Sequence, residues 1–64
     1  MIKLMIVDDE QIVREGIKFI IENNFKDRIE IVAMAKSGRE AIEFFEGKRP
    51  EVVLMDINMP EMDG

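Results

Sequence analysis

Three short apolar runs constrain this chain more than any other feature. IKLMIV at residues 2–7, RIEIVAMA at 28–35 and EVVLMD at 51–56 are separated by two stretches whose apolar residues recur with helical spacing. Near-continuous apolar runs of this length read as strands covered on both faces. A strand–helix–strand–helix–strand order implies right-handed crossovers, and those require parallel strands. The sequence therefore predicts one α/β domain built on a parallel sheet.

The first helical stretch, residues 11–24, puts Ile12, Val13, Ile17, Ile20 and Ile21 on a single stripe. Gly16 beside that stripe would permit close approach to the sheet, and Asn23-Asn24 reads as a C-terminal signal. The second helix opens at Ser37. Glu40 three residues later makes a capping box, in which the hydroxyl accepts a backbone N–H and the carboxylate reaches back to the cap. Ala41, Ile42, Phe44 and Phe45 are its apolar positions and Gly47 its expected end.

Composition narrows the function classes. A chain of 64 residues buries only about 60% of its unfolded surface and is marginal as a monomer. It has no cysteine, which excludes disulfides and thiolate metal sites and fits a reducing, cytoplasmic setting. It has no histidine, which excludes the Ser-His-Asp arrangement. A net charge of -5 argues against nucleic-acid binding by this segment. No apolar run approaches the ~20 residues of a membrane span, and the opening MIKLMIVDDE does not read as a signal peptide.

The chemistry lies at the strand ends. Parallel strands share one carboxyl edge, and ligands bind there. The first run ends in Asp8 and Asp9, the third in Asp56. If the first and third strands are neighbours, three carboxylates converge. Two like charges at ~4 Å cost ~1 kcal/mol in water and several times more at low effective dielectric. Either one carboxylate takes a proton or a divalent cation neutralises the group. An oxygen-only site with few protein ligands suits Mg2+, with Mn2+ also possible. A carboxylate beside such a cation can act as a phosphoryl acceptor. Each feature alone also has a local explanation. An acidic pair after a strand favours a helix N-terminus, and an Asp before Asn and Pro forms turns. Their joint placement at the ends of two apolar strands favours a site.

The acidic pair after IKLMIV, the SGREAI helix start and the closing VVLMDINMPEMDG resemble the N-terminal half of a response-regulator receiver domain of two-component signalling. The resemblance runs through residues 1–64 and implies a flavodoxin-like (CheY-like) sheet. The family's strand order is 2-1-3-4-5, of which this segment supplies the 2-1-3 part. It implies that Asp56 accepts a phosphoryl group from a sensor histidine kinase. Asp9, Asp56 and the backbone carbonyl of Asn58 would bind Mg2+, with Asp8 acting through water. Met59, Pro60 and Gly64 would shape the adjoining loop. The family's phosphate-pairing Lys and its Ser or Thr have no counterpart in these residues. An attached output domain, most often transcriptional, is expected, and the receiver itself is not a turnover enzyme.

Two other readings remain open on the residues. Aspartyl-phosphate phosphohydrolases place a second acid two residues after the nucleophile, where this chain has Asn58. The segment taken alone is also expected to expose its third strand as an apolar edge, and so to self-associate there without competent phosphotransfer. The polar residues Gln11, Arg14, Glu15 and Lys18 lie off the apolar stripe, and a solvated helix face accounts for them.

Overall fold

The computed structural model describes residues 1–55. Five elements follow one another: β1 (Ile2–Val7), α1 (Gln11–Asn24), β2 (Ile29–Ala35), α2 (Gly38–Lys48) and β3 (Val52–Met55). The three strands form one parallel sheet, as the alternating pattern predicts, in the order β2-β1-β3 that the resemblance implies. No helix among the described residues is long and apolar enough to cross a membrane.

The apolar run of β1 becomes central because both its faces are covered. Met5 and Val7 pack with Ala35 and Ala41 on the α2 side, joined by Ala33, Phe44 and Met55. Leu4 and Ile6 pack with Ile21 on the α1 side, joined by Ile17, Ile29, Ile31 and Met34. Alternate residues of one strand thus feed two thin cores.

β2 reaches both cores through an irregularity. Leu4 pairs with Ile31 but Met5 pairs with Ala33, so Val32 is an extra residue in the ladder. That bulge resets the alternation of β2. Before it, the odd-numbered Ile29 and Ile31 face α1. After it, the odd-numbered Ala33 and Ala35 face α2, while Met34 faces α1. Two small residues thereby lie beneath α2, where Ala35 is fully buried.

The helices depart from the sequence expectation in their apolar faces. The stripe on α1 is narrower than its spacing suggests. Ile21 is buried and Val13 and Ile17 are half-buried, but Ile12 and Ile20 are exposed. Gly16 is exposed as well, and a Cβ built on it meets nothing within 4 Å, so it permits no close approach. A helix crossing the sheet touches it along one line, and Ile12 and Ile20 lie to the side of that line. On α2, Ala41 and Phe44 face the sheet while Ile42 and Phe45 are exposed.

The helix ends are built locally. Asn23 and Asn24 close α1 by donating their side-chain amides to the carbonyls of Phe19 and Ile20. Ser37 caps α2, its Oγ accepting the Glu40 N–H at 3.2 Å. The Glu40 carboxylate reaches one residue further back than a capping box prescribes and accepts the Lys36 N–H at 3.0 Å. α2 runs past Gly47 to Lys48, and Arg49 takes the left-handed position at φ 51°, ψ 57°. Pro50 follows, is buried and prevents further helix.

β3 pairs with β1 and forms an edge of the sheet among the described residues. Neither helix lies over it, and Val52, Val53 and Leu54 remain substantially exposed. Its register is fixed at the amino end by Glu51, whose N–H donates to the Lys3 carbonyl and whose Oε1 accepts the Lys3 N–H.

Candidate functional site

The site is built outward from the end of β1. Asp8 follows the fully buried Val7 and continues the ladder one residue further, its N–H donating to the Ala35 carbonyl at 3.0 Å. That bond turns the chain at a fixed point. The Asp8 side chain then folds forward, and Oδ1 accepts the Glu10 N–H at 2.9 Å, the bond that defines an Asx turn. Asp8 as a whole is 7% exposed.

Neither acid caps α1. The cap position belongs to Glu10, with φ -104° and ψ 123°, and no side chain closes it. Arg14, in the first turn of the helix, instead reaches back to the strand end. Its guanidinium donates to the Asp8 backbone carbonyl at 2.6 Å. Asp8 is therefore held at its amide, its carbonyl and one carboxylate oxygen. Asp9 is exposed at the tip of the same turn.

Arg14 was not legible as part of the site from its spacing, which puts it on a polar face. It is half-buried rather than solvated. The one sequence signal for it is an arginine six residues after a strand-terminal Asp, one helical turn into the following helix.

The other strands arrive at the same edge. β2 ends at Ala35, opposite Val7. β3 ends at Met55, which also pairs with Val7. Ala35 and Met55 thus both lie level with Val7 of β1. A cavity of about 310 Å³ lined by residues 23–28 lies where α1 turns into β2, at the opposite edge of the sheet.

Of the residues expected to form the site, Asp8 and Asp9 are brought together at this edge. Asp56, Asn58, Met59, Pro60 and Gly64 lie outside the described residues. Among the described residues no group of three or more His, Cys, Asp or Glu side chains stands ready to hold a metal ion. The two acids that are described fit a hard divalent cation by their chemistry. Both offer carboxylate oxygen, Asp9 is open to solvent and to a hydrated ion, and the chain has no Cys or His to compete.

Comparison with known proteins gives a consistent picture. Residues 4–64 match the response regulator receiver domain family. A protein-glutamate methylesterase/protein-glutamine glutaminase of Methanococcoides burtonii is 45% identical over 64 residues, covering 100% of this chain and 18% of the relative. The transcriptional regulatory protein YhcZ of Bacillus subtilis is 45% identical over 62 residues, covering 97% of this chain and 28% of the relative. The chemotaxis protein CheY of Listeria monocytogenes is 44% identical over 64 residues, covering 100% of this chain and 51% of the relative. The chain thus spans between 18% and 51% of the length of these relatives.

Proposed function

The chain belongs to the response regulator receiver domain family, and on that premise we propose that it is the N-terminal half of a phosphoacceptor module. In this reading Asp56 takes a phosphoryl group from a phosphohistidine of a sensor histidine kinase. A carboxylate oxygen bonds to phosphorus, the phosphorus–nitrogen bond breaks, and the imidazole leaves with the electron pair.

The observation that carries the reading is the parallel register of β1 and β3, in which Val7 pairs with Met55. Asp8 follows the first and Asp56 follows the second in the chain. Asp9, Asp56 and the Asn58 carbonyl are the residues that would hold Mg2+ or Mn2+, with Asp8 assisting through water. The exposure of Asp9 and the committed oxygen of Asp8 support that division of roles. When bound, the cation supplies positive charge that screens the acids from the incoming phosphoryl oxygens. In this reading Met59, Pro60 and Gly64 would shape the loop after the acceptor, as the resemblance implies.

The chain stores the phosphoryl group and does not turn it over. Asn58 stands where a phosphohydrolase needs an acid, and an amide cannot protonate a leaving group. The same segment matches proteins named as a methylesterase, a transcriptional regulator and a chemotaxis protein. A switching role common to different outputs accounts for that breadth. We read the parent protein as a cytoplasmic regulator, most simply a transcriptional one, whose nucleic-acid contacts lie outside this acidic segment.

The test is the intact mass of the full-length protein after incubation with Mg2+ and acetyl phosphate. One added phosphoryl group, absent from Asp56→Ala, supports the reading. Phosphate release without an adduct favours a phosphohydrolase, and no reaction at all rejects both.

One observation favours a second reading for the 64-residue segment taken alone. Val52, Val53 and Leu54 are exposed on a strand that pairs on one side among the described residues. Such an edge is a template for association, so the isolated segment is expected to sediment as an oligomer without competent phosphotransfer. A compact, cooperatively melting monomer rejects this.

A further inference from the structure

We propose that Arg14 is a positioning residue of the acidic site, holding the turn after β1 so that Asp8 and Asp9 are presented to a cation. The inference rests on the reading of this edge as a Mg2+ site. It stands on two hydrogen bonds that converge on one residue. The Arg14 guanidinium donates to the Asp8 carbonyl at 2.6 Å, and the Glu10 N–H donates to Asp8 Oδ1 at 2.9 Å.

The choice of acceptor is informative. An arginine placed beside two aspartates would ordinarily pair with a carboxylate, and would then compete with the cation for its ligands. The bond seen here goes to the backbone oxygen instead. It puts a positive charge within the acidic turn, which offsets the repulsion between Asp8 and Asp9, while leaving carboxylate oxygens available. It also ties the first turn of α1 to the strand end. The peptide between Asp8 and Asp9 is therefore fixed from the helix side, and with it the direction in which Asp9 leaves the strand. Groups that orient ligands without touching the metal commonly matter to affinity, and their loss weakens binding about 10–100-fold.

The experiment uses the full-length protein and the variants Arg14→Met and Arg14→Lys. Mg2+ affinity, the amide proton shift of Glu10 and the melting temperature are read in parallel. Arg14→Met is expected to weaken Mg2+ binding about tenfold or more and to move the Glu10 amide upfield as its bond to Asp8 loosens. Arg14→Lys keeps a charged donor and is expected to restore most of both. Should Arg14→Met fail to fold, Arg14→Gln, which keeps a neutral donor, takes its place with the same expected direction.

A lower melting temperature with Mg2+ affinity and the Glu10 shift unchanged would make Arg14 a structural tether only, and overturns the proposal. Tighter Mg2+ binding in Arg14→Met also overturns it, because the guanidinium would then act as a repelling charge. Failure of the underlying reading looks different. The wild-type protein itself would show no saturable Mg2+ response, and the role of Arg14 toward a cation would fall with it.

Discussion

Val7 and Met55 pair in the ladder between β1 and β3, the last such pair among the described residues, and in the chain each is followed by an aspartate. Parallel strands in register carry their next residues to the same edge, because both advance by the same rise per residue. The register of β3 on β1 is thus what makes a shared acidic site physically reasonable. It follows from the packing of β1, whose alternate side chains fill two cores and leave no freedom to slip. A one-residue shift would exchange the faces of Leu4 and Ile6 with those of Met5 and Val7.

The first prediction concerns that core. Ile6 has no exposed surface, and Ile6→Ala is expected to destabilise the protein by about 2–5 kcal/mol. Ile42 is 72% exposed despite its place in an apolar pattern, and Ile42→Ala should change stability by no more than about 0.5 kcal/mol. Urea denaturation of the two variants checks the contrast.

A second prediction tests the bulge. Ala35 lies fully buried on the α2 side because Val32 is an extra residue in β2. Ala35→Leu forces a larger side chain beneath α2 and should cost about 1–3 kcal/mol. The measurement is the shift in thermal midpoint.

Helix α2 supplies a third. Ser37 Oγ accepts the Glu40 N–H, and Ser37→Ala should cost about 1 kcal/mol. Glu40→Ala removes the acceptor for the Lys36 N–H. A double-mutant cycle over Ser37 and Glu40 should give a non-zero coupling, since both side chains order the same turn.

The other end of α2 gives a fourth, opposite in sign. Arg49 holds φ 51°, a region that costs a side-chain-bearing residue about 1–2 kcal/mol. Glycine occupies it freely but gives up more chain entropy on folding, so Arg49→Gly should stabilise by roughly 0.5–1 kcal/mol net. The urea midpoint should rise with an unchanged m-value.

These cases mark how much the sequence disclosed. The 2-1-3 order and the central place of β1 came only through the family resemblance, whereas the parallel sense of the sheet follows from three apolar runs and two helical stretches. The acidic turn was visible in the same way, because a strand-terminal Asp8-Asp9 has few roles. The Val32 bulge was not, since IEIVAMA carries a single polar residue, Glu30, ahead of it and is apolar from Ile31 onward, so nothing marks where the alternation resets. Ile12 and Ile20 were misplaced because spacing gives the width of an apolar face but not the line along which a helix meets a sheet. The end of α2 moved from Gly47 to Arg49 because the buried Pro50, rather than a glycine, stops the helix. Arg14 was hidden for a different reason. Its partner is a backbone carbonyl, and a backbone atom leaves no trace in residue types.

The most direct measurement of the central claim is paramagnetic broadening by Mn2+ in amide NMR spectra of the full-length protein. Mn2+ well below one equivalent should broaden the amides of Asp8, Asp9 and Asp56 together, and excess Mg2+ should restore all of them at one common concentration. Broadening confined to Asp8 and Asp9, or reversed at a different Mg2+ concentration for Asp56, would contradict a single cation site joining the ends of β1 and β3.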